Sequence, residues 1–133
     1  VLAFDILLRN FDRRAEKPNL LSDGTRLYVI DHELAFGFVF DLFPSKTPWV
    51  LNEQEIAMLP NHLLYNKVSG AALNVDELVA RLGRLDDAFW DKCWQELPEA
   101  WRCEEQFQRI RTYFTTMQGH AQAFFEQLKQ HLS

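Results

Sequence analysis

A chain of 133 residues and 15.7 kDa has room for one domain around one core, removing roughly 65–70% of the unfolded surface from water. Two full domains are excluded. At 47% hydrophobic and 25% charged residues, with 11 Phe, 4 Trp and 3 Tyr against 5 Gly and 5 Pro, the composition excludes a disordered or low-complexity chain and favours thick helical packing over a turn-rich all-β domain. The net charge of −5 is carried by residues 31–101, at −7, while residues 1–30 and 102–133 each sum to +1; with no clustered Lys/Arg tract, nucleic acid is not an expected partner.

The first element, residues 2–9 (LAFDILLR), is apolar on nearly every side and predicts a helix buried inside a larger fold. Residues 10–19 (NFDRRAEKPN) are polar, and Pro18 disfavours helical geometry at Lys17, so a loop follows. Asp23-Gly24 between two short apolar runs predicts a hairpin, with strands near 19–22 and 26–30, because a tight turn needs positive φ at its centre. The segment 32–60, with Gly37, Pro44, Pro48 and Pro60 among many aromatics, predicts an irregular packed excursion with a short helix around 52–58.

From Asn74 the pattern turns helical. Asn74 is an N-cap with Glu77 at the capping-box position, and a second helix is expected over 86–96. Beyond Pro98, the positions Cys103, Phe107, Ile110, Phe114, Met117, Ala121, Phe124 and Leu128 step by four and three, a heptad seam that predicts one long helix. Its plain reading is packing against the preceding helices; the alternative is a homodimer through this C-terminal helix. Gly119 weakens the helix by about 1 kcal/mol relative to Ala and allows a bend. No internal repeat is visible. The expected fold class is therefore mostly α with a small β-hairpin.

Cys93 and Cys103 fit neither a metal spacing nor a disulfide framework, which suits a reducing compartment, and a cytoplasmic location is the expectation. The longest apolar run, Val1–Leu8, is interrupted by Asp5 and is too short to span a bilayer. His62, His120 and His131 are scattered without partners at metal spacing, so zinc is not expected.

The chemistry concentrates between Asn10 and Asp31. An acidic residue in a polar loop, an Asn before a strand, a hairpin, and an Asp after its second strand are residues that phosphoryl transfer uses: a carboxylate to position the acceptor hydroxyl, and hard oxygen donors for Mg²⁺. Singly, each has a bland reading. Asp12 between charged neighbours reads as a salt-bridged loop residue, Asn19 as a turn residue and Asp31 as a strand-end cap. In order around one hairpin they favour a kinase.

DILLRNFDRRAEKPNLL followed by LYVIDHELAF resembles the catalytic and metal-binding segments of HipA-like kinases, a bacterial branch of the protein-kinase-like and phosphoinositide-kinase-like fold. The likeness covers about the first quarter of the chain and implies a kinase C-lobe, a helical bundle with a catalytic loop and hairpin. It implies Asp12 as catalytic base with Arg13 as the Arg that follows it, and Asn19 and Asp31 as ligands of Mg²⁺ on ATP. Residues 1–36 would hold the catalytic and metal-binding segments, 37–73 an irregular, activation-like segment, and 74–133 the helical subdomain.

Two departures stand out. The protein-kinase loop places its Asn five residues after the Asp, where this chain has Lys17; Asn19 lies seven after Asp12. Asp31 is followed by His32-Glu33 instead of Phe-Gly, and His32 reads most simply as a structural histidine.

A glycine-rich phosphate loop and a strand Lys are absent from the sequence. The resemblance therefore implies an upstream N-lobe or a partner chain that completes the cleft, and negligible kinase activity for these 133 residues alone. The alternative function is a non-catalytic, pseudokinase-like helical module that binds a protein partner through the aromatic 36–50 segment or the seam. An acid/base hydrolase using Asp12 and Asp31 is weaker, because no nucleophile accompanies them.

Overall fold

The computed structural model describes residues 1–133. Seven helices surround one core, and a single two-stranded antiparallel hairpin projects from it. The mostly helical expectation with one small hairpin holds.

Helix α1 (Leu2–Leu7) buries Leu2, Ile6 and Leu7, while Phe4 is half-exposed. It ends two residues before the expected boundary. Arg9 turns left-handed (φ 57°), its N–H donates to the Ile6 carbonyl (3.1 Å), and the Asn10 N–H donates to the Asp5 carbonyl (2.8 Å). That is a complete Schellman closure with Arg where Gly is usual. Strands β1 (Leu20–Ser22) and β2 (Leu27–Val29) pair Leu20 with Val29 and Ser22 with Leu27; β1 starts one residue late and ends as expected, and β2 is one residue shorter at each end. Gly24 (φ 91°) sits at the first central turn position, and the Asp23 carboxylate accepts from the Thr25 and Arg26 amides and from the Thr25 and Tyr28 hydroxyls. These four donors hold the Asp23 carboxyl far below the usual carboxylate range.

The 32–60 excursion contains a short 3-10 turn at Gly37–Phe40 and helix α2 (Glu53–Met58). Asn52 and Glu55 form a reciprocal capping box, at 2.9 Å each way. Asn52→Ala is expected to lower stability by about 1 kcal/mol, read as a shift of the urea midpoint without a change in slope. A short helix, α3 (Tyr65–Val68), follows. Helix α4 (Val75–Leu82) is capped by the Asn74 side chain as expected, but Glu77 pairs with Arg81 instead of returning to the cap. Helix α5 (Asp87–Glu96) matches its expectation, with Asp86 as cap.

The single long C-terminal helix is corrected. The chain forms α6 (Glu104–Gly119) and α7 (Ala121–Leu132), broken at His120. Gly119 weakens the helix there, and at the break the His120 ring stacks on Trp49 at 3.6 Å between centroids. The seam then divides. Cys103 is exposed, whereas Phe114, Met117, Ala121, Phe124 and Leu128 are buried in the core, with α7 packed on α4. The buried part of the seam is covered from within, so a dimer through it finds no support.

Three long-range bonds tie the end of α1, the 32–60 segment and α6 together. The Tyr113 hydroxyl donates to the Leu7 carbonyl (2.7 Å), the Phe36 amide to the Leu8 carbonyl (3.0 Å), and Arg109 to the Val39 carbonyl (2.7 Å). No helix is long and apolar enough to cross a membrane.

Candidate functional site

The loop from Asn10 to Asn19 begins where the Schellman closure throws the chain off α1. Its second anchor is remote in sequence: the Leu63 N–H donates to the Arg13 carbonyl (2.9 Å), and Arg14 forms an isolated bridge with His62. The segment that returns from the aromatic excursion thus straps the loop from behind.

Asp12 stands at the front of the loop, bonded to Lys17 (2.8 Å) and more loosely to Arg14 (3.3 Å). The Lys17 hydrogen bond is the main reason its carboxyl is held below the ordinary value, with the charges of Lys17 and Arg14 adding to it. The salt-bridged-loop reading of Asp12 is therefore correct as geometry. Lys17 also lies 3.8 Å from Glu33. Its ammonium is stabilised first by Asp12, with smaller contributions from the charges of Asp31 and Glu33. Lys17 thus pairs with Asp12 and lies within reach of Glu33. Sequence reasoning registered it only as a departure from a motif; a lone Lys in a charged loop carries no signal of its own.

Asn19 and Asp31 flank the open end of the hairpin, where the Ile30 N–H donates to the Asn19 carbonyl (3.1 Å). Both are left-handed, with φ 42° and 55°. The chain has four non-glycine residues with positive φ, Arg9, Asn19, Asp31 and Phe36; two of them, Asn19 and Asp31, lie in the Asn10–Asp31 segment and the other two flank it. Strained backbone of this kind persists only where its surroundings over-determine it. Neither the Asn19 carboxamide nor the Asp31 carboxylate is engaged in an intramolecular hydrogen bond or ion pair.

Arg13, which the resemblance pairs with the base, stands behind the site, fully buried. Its Nε and Nη2 grip the Asp5 carboxylate at 2.7 and 3.2 Å, and Nη1 reaches the carbonyls of Pro18 and Ile30 at 3.4 Å and that of Asn19. His62 is the second partner of Asp5, Nε2 to Oδ2 at 3.1 Å. Burial pushes the Asp5 carboxyl up, but the hydrogen bonds from His62 and Arg13 and the Arg13 charge outweigh it and hold the group below the ordinary value. Asp5 and His62 were not legible as partners, since 57 residues separate them.

No group of three or more His, Cys, Asp or Glu side chains is placed to hold a metal. A cation at Asp31 would take one carboxylate and one amide oxygen from this chain, a hard-donor set that suits Mg²⁺ when phosphates and waters supply the remaining ligands. Two of the hollows on the molecule, of about 840 and 870 Å³, are lined by residues other than Asp12, Asn19 and Asp31. The candidate site is an open shelf beside the hairpin. Compared with known proteins, the chain matches no family model, no curated protein and no solved structure.

Proposed function

We propose that this domain is the C-terminal lobe of an ATP-dependent, HipA-like kinase, transferring the γ-phosphoryl group of Mg-ATP to a hydroxyl acceptor. The observation that carries this reading is the pair of uncommitted oxygen donors, Asn19 and Asp31, held left-handed at one end of a hairpin beside the Asp12–Lys17 ion pair. When bound, Mg²⁺ would neutralise charge on the nucleotide phosphates, with Asn19 and Asp31 holding it. Asp12, kept ionised by Lys17, accepts the hydrogen bond of the acceptor hydroxyl and aims it; a loose transition state asks for orientation more than for a strong base. The Lys17 ammonium, paired with Asp12, offsets negative charge arriving with the phosphates.

The shelf requires a roof. Leu21, Leu27, Tyr28 and Ile30 on the hairpin, with Phe4 and Leu34 in neighbouring segments, leave large apolar side chains exposed. A two-stranded hairpin with uncovered apolar faces calls for further packing. An N-lobe or partner chain seated there would close the nucleotide cleft and exclude water.

The test is a titration with Mg-ATP followed by backbone amide shifts. Residues 12–19 and 30–32 are expected to respond, Asp31→Asn to abolish the response and Asp12→Asn to retain it. With the roof in place, Asp12→Asn is expected to cut phosphoryl transfer at least about a hundredfold. No response in the wild-type domain joined to its N-lobe or partner chain would refute the reading. It would leave the non-catalytic interaction module, whose favouring observation is the 40–43 segment, with Leu42 and Phe43 88% and 92% exposed.

A further inference from the structure

Buried behind the shelf is a network that the phosphoryl-transfer chemistry does not itself use: Asp5, Arg13 and His62. From its geometry we infer that His62 is a positioning residue, which sets the two proposed metal ligands by holding Asp5 against Arg13 while Arg13 closes the hairpin's open end. The inference rests on the reading of Asn19 and Asp31 as ligands.

The guanidinium of Arg13 is used on two sides. Nε and Nη2 take the Asp5 carboxylate, and Nη1 points at three backbone carbonyls, those of Pro18, Asn19 and Ile30. One carbonyl belongs to Asn19 itself, one to the residue before it, and one to the residue before Asp31. The Asn19 and Asp31 backbones are the left-handed ones, so the clamp acts where φ is least tolerant and where the ligand side chains leave the chain. A planar guanidinium held at its Nε edge by Asp5 can present Nη1 in only one direction.

His62 fixes the orientation of Asp5. The Leu64 backbone N–H donates to its Nδ1 at 3.1 Å, so Nδ1 is an acceptor and the ring proton sits on Nε2, which donates to Asp5 Oδ2. The ring therefore links two things: the 59–65 strap, through Nδ1, and the clamp, through Nε2. Outer-shell partners of this kind commonly alter metal affinity by about 10–100-fold.

The two nitrogens can be separated by substitution. Gln places an amide N–H near the position of Nε2 and keeps the Asp5 bond, whereas Asn places an acceptor near Nδ1 and keeps only the Leu64 bond. The experiment adds Mn²⁺ to ¹⁵N-labelled chain and follows paramagnetic broadening of the Asn19 and Asp31 amides in wild type, Asp31→Asn, His62→Gln and His62→Asn, with thermal melts alongside.

The expected result is a wild-type response lost in Asp31→Asn, kept within about twofold in His62→Gln and weakened about tenfold or more in His62→Asn. Equal responses in both His62 variants, or a weaker response in His62→Gln than in His62→Asn, would overturn the inference while leaving the metal site standing. No response in wild type, or a response unaffected by Asp31→Asn, removes the metal reading and the inference with it. Should His62→Asn fail to fold, the ring ¹⁵N shifts of wild-type His62 decide: a proton on Nε2 with His62→Gln matching wild type supports the inference, and a proton on Nδ1 overturns it.

Discussion

Arg13→Leu is expected to destabilise the domain by about 3–5 kcal/mol, a large share of the 5–15 kcal/mol typical of a folded domain. Asp5 and Arg13 are both fully buried. Removing the guanidinium leaves a carboxylate without its main countercharge in the interior and takes a donor from the carbonyls of Pro18, Asn19 and Ile30. Equilibrium urea unfolding is the measurement, and a loss under about 1 kcal/mol would show that the pair is not closed to water as the structure has it.

The same pair has an acid signature. Because the folded-state pKa of Asp5 is depressed, the stability it contributes is complete above its unfolded value, near ~3.9, and is lost as pH falls through the folded value. Asp5→Asn should be clearly less stable than wild type at pH 6, with the gap narrowing below about pH 4. Asp12 and Asp23 are also depressed, but they are common to both proteins and cancel in the comparison. A gap that stays constant from pH 6 to pH 3 would mean that Asp5 does not supply the acid-labile stability.

Phe124→Ala is the second large effect, expected to cost about 3–5 kcal/mol through lost burial and the cavity left behind. Phe124 is fully buried on α7, packs edge-on to Phe125 at 5.2 Å between centroids, and carries the Arg9 guanidinium over its ring at 5.8 Å. Arg9 also pairs with Glu55 (2.8 Å) and donates to the Pro48 carbonyl. The variant should therefore loosen the Schellman end of α1 as well as the core, seen as faster amide exchange at Asn10 compared with an equally destabilised variant far from α1. Equal exchange in the two would confine Phe124 to a packing role.

The elements that the sequence determined by itself are those governed by neighbours along the chain. The hairpin followed from Asp23-Gly24, because positive φ and an Asx-type acceptor are local demands. The start of α4 followed from Asn74, whose side chain satisfies the Glu77 amide three residues on; the extent of α5 was also legible, whereas its Asp86 cap emerged only from the structure. The order of Asp12, Asn19 and Asp31 was likewise legible.

Only tertiary structure decided the rest. A heptad pattern predicts which residues share a face and is silent on whether the helix is continuous; the Trp49–His120 stack, 71 positions apart in sequence, marks the break. The same applies to the site. Asp5 read as an interruption in an apolar run and His62 as a stray histidine. Their meaning as a buried pair with Arg13 exists only once a 57-residue separation is folded to 3.1 Å. Burial turns an ordinary carboxylate into a fixed anchor, because in a low-dielectric interior an unpaired charge is too costly to leave free.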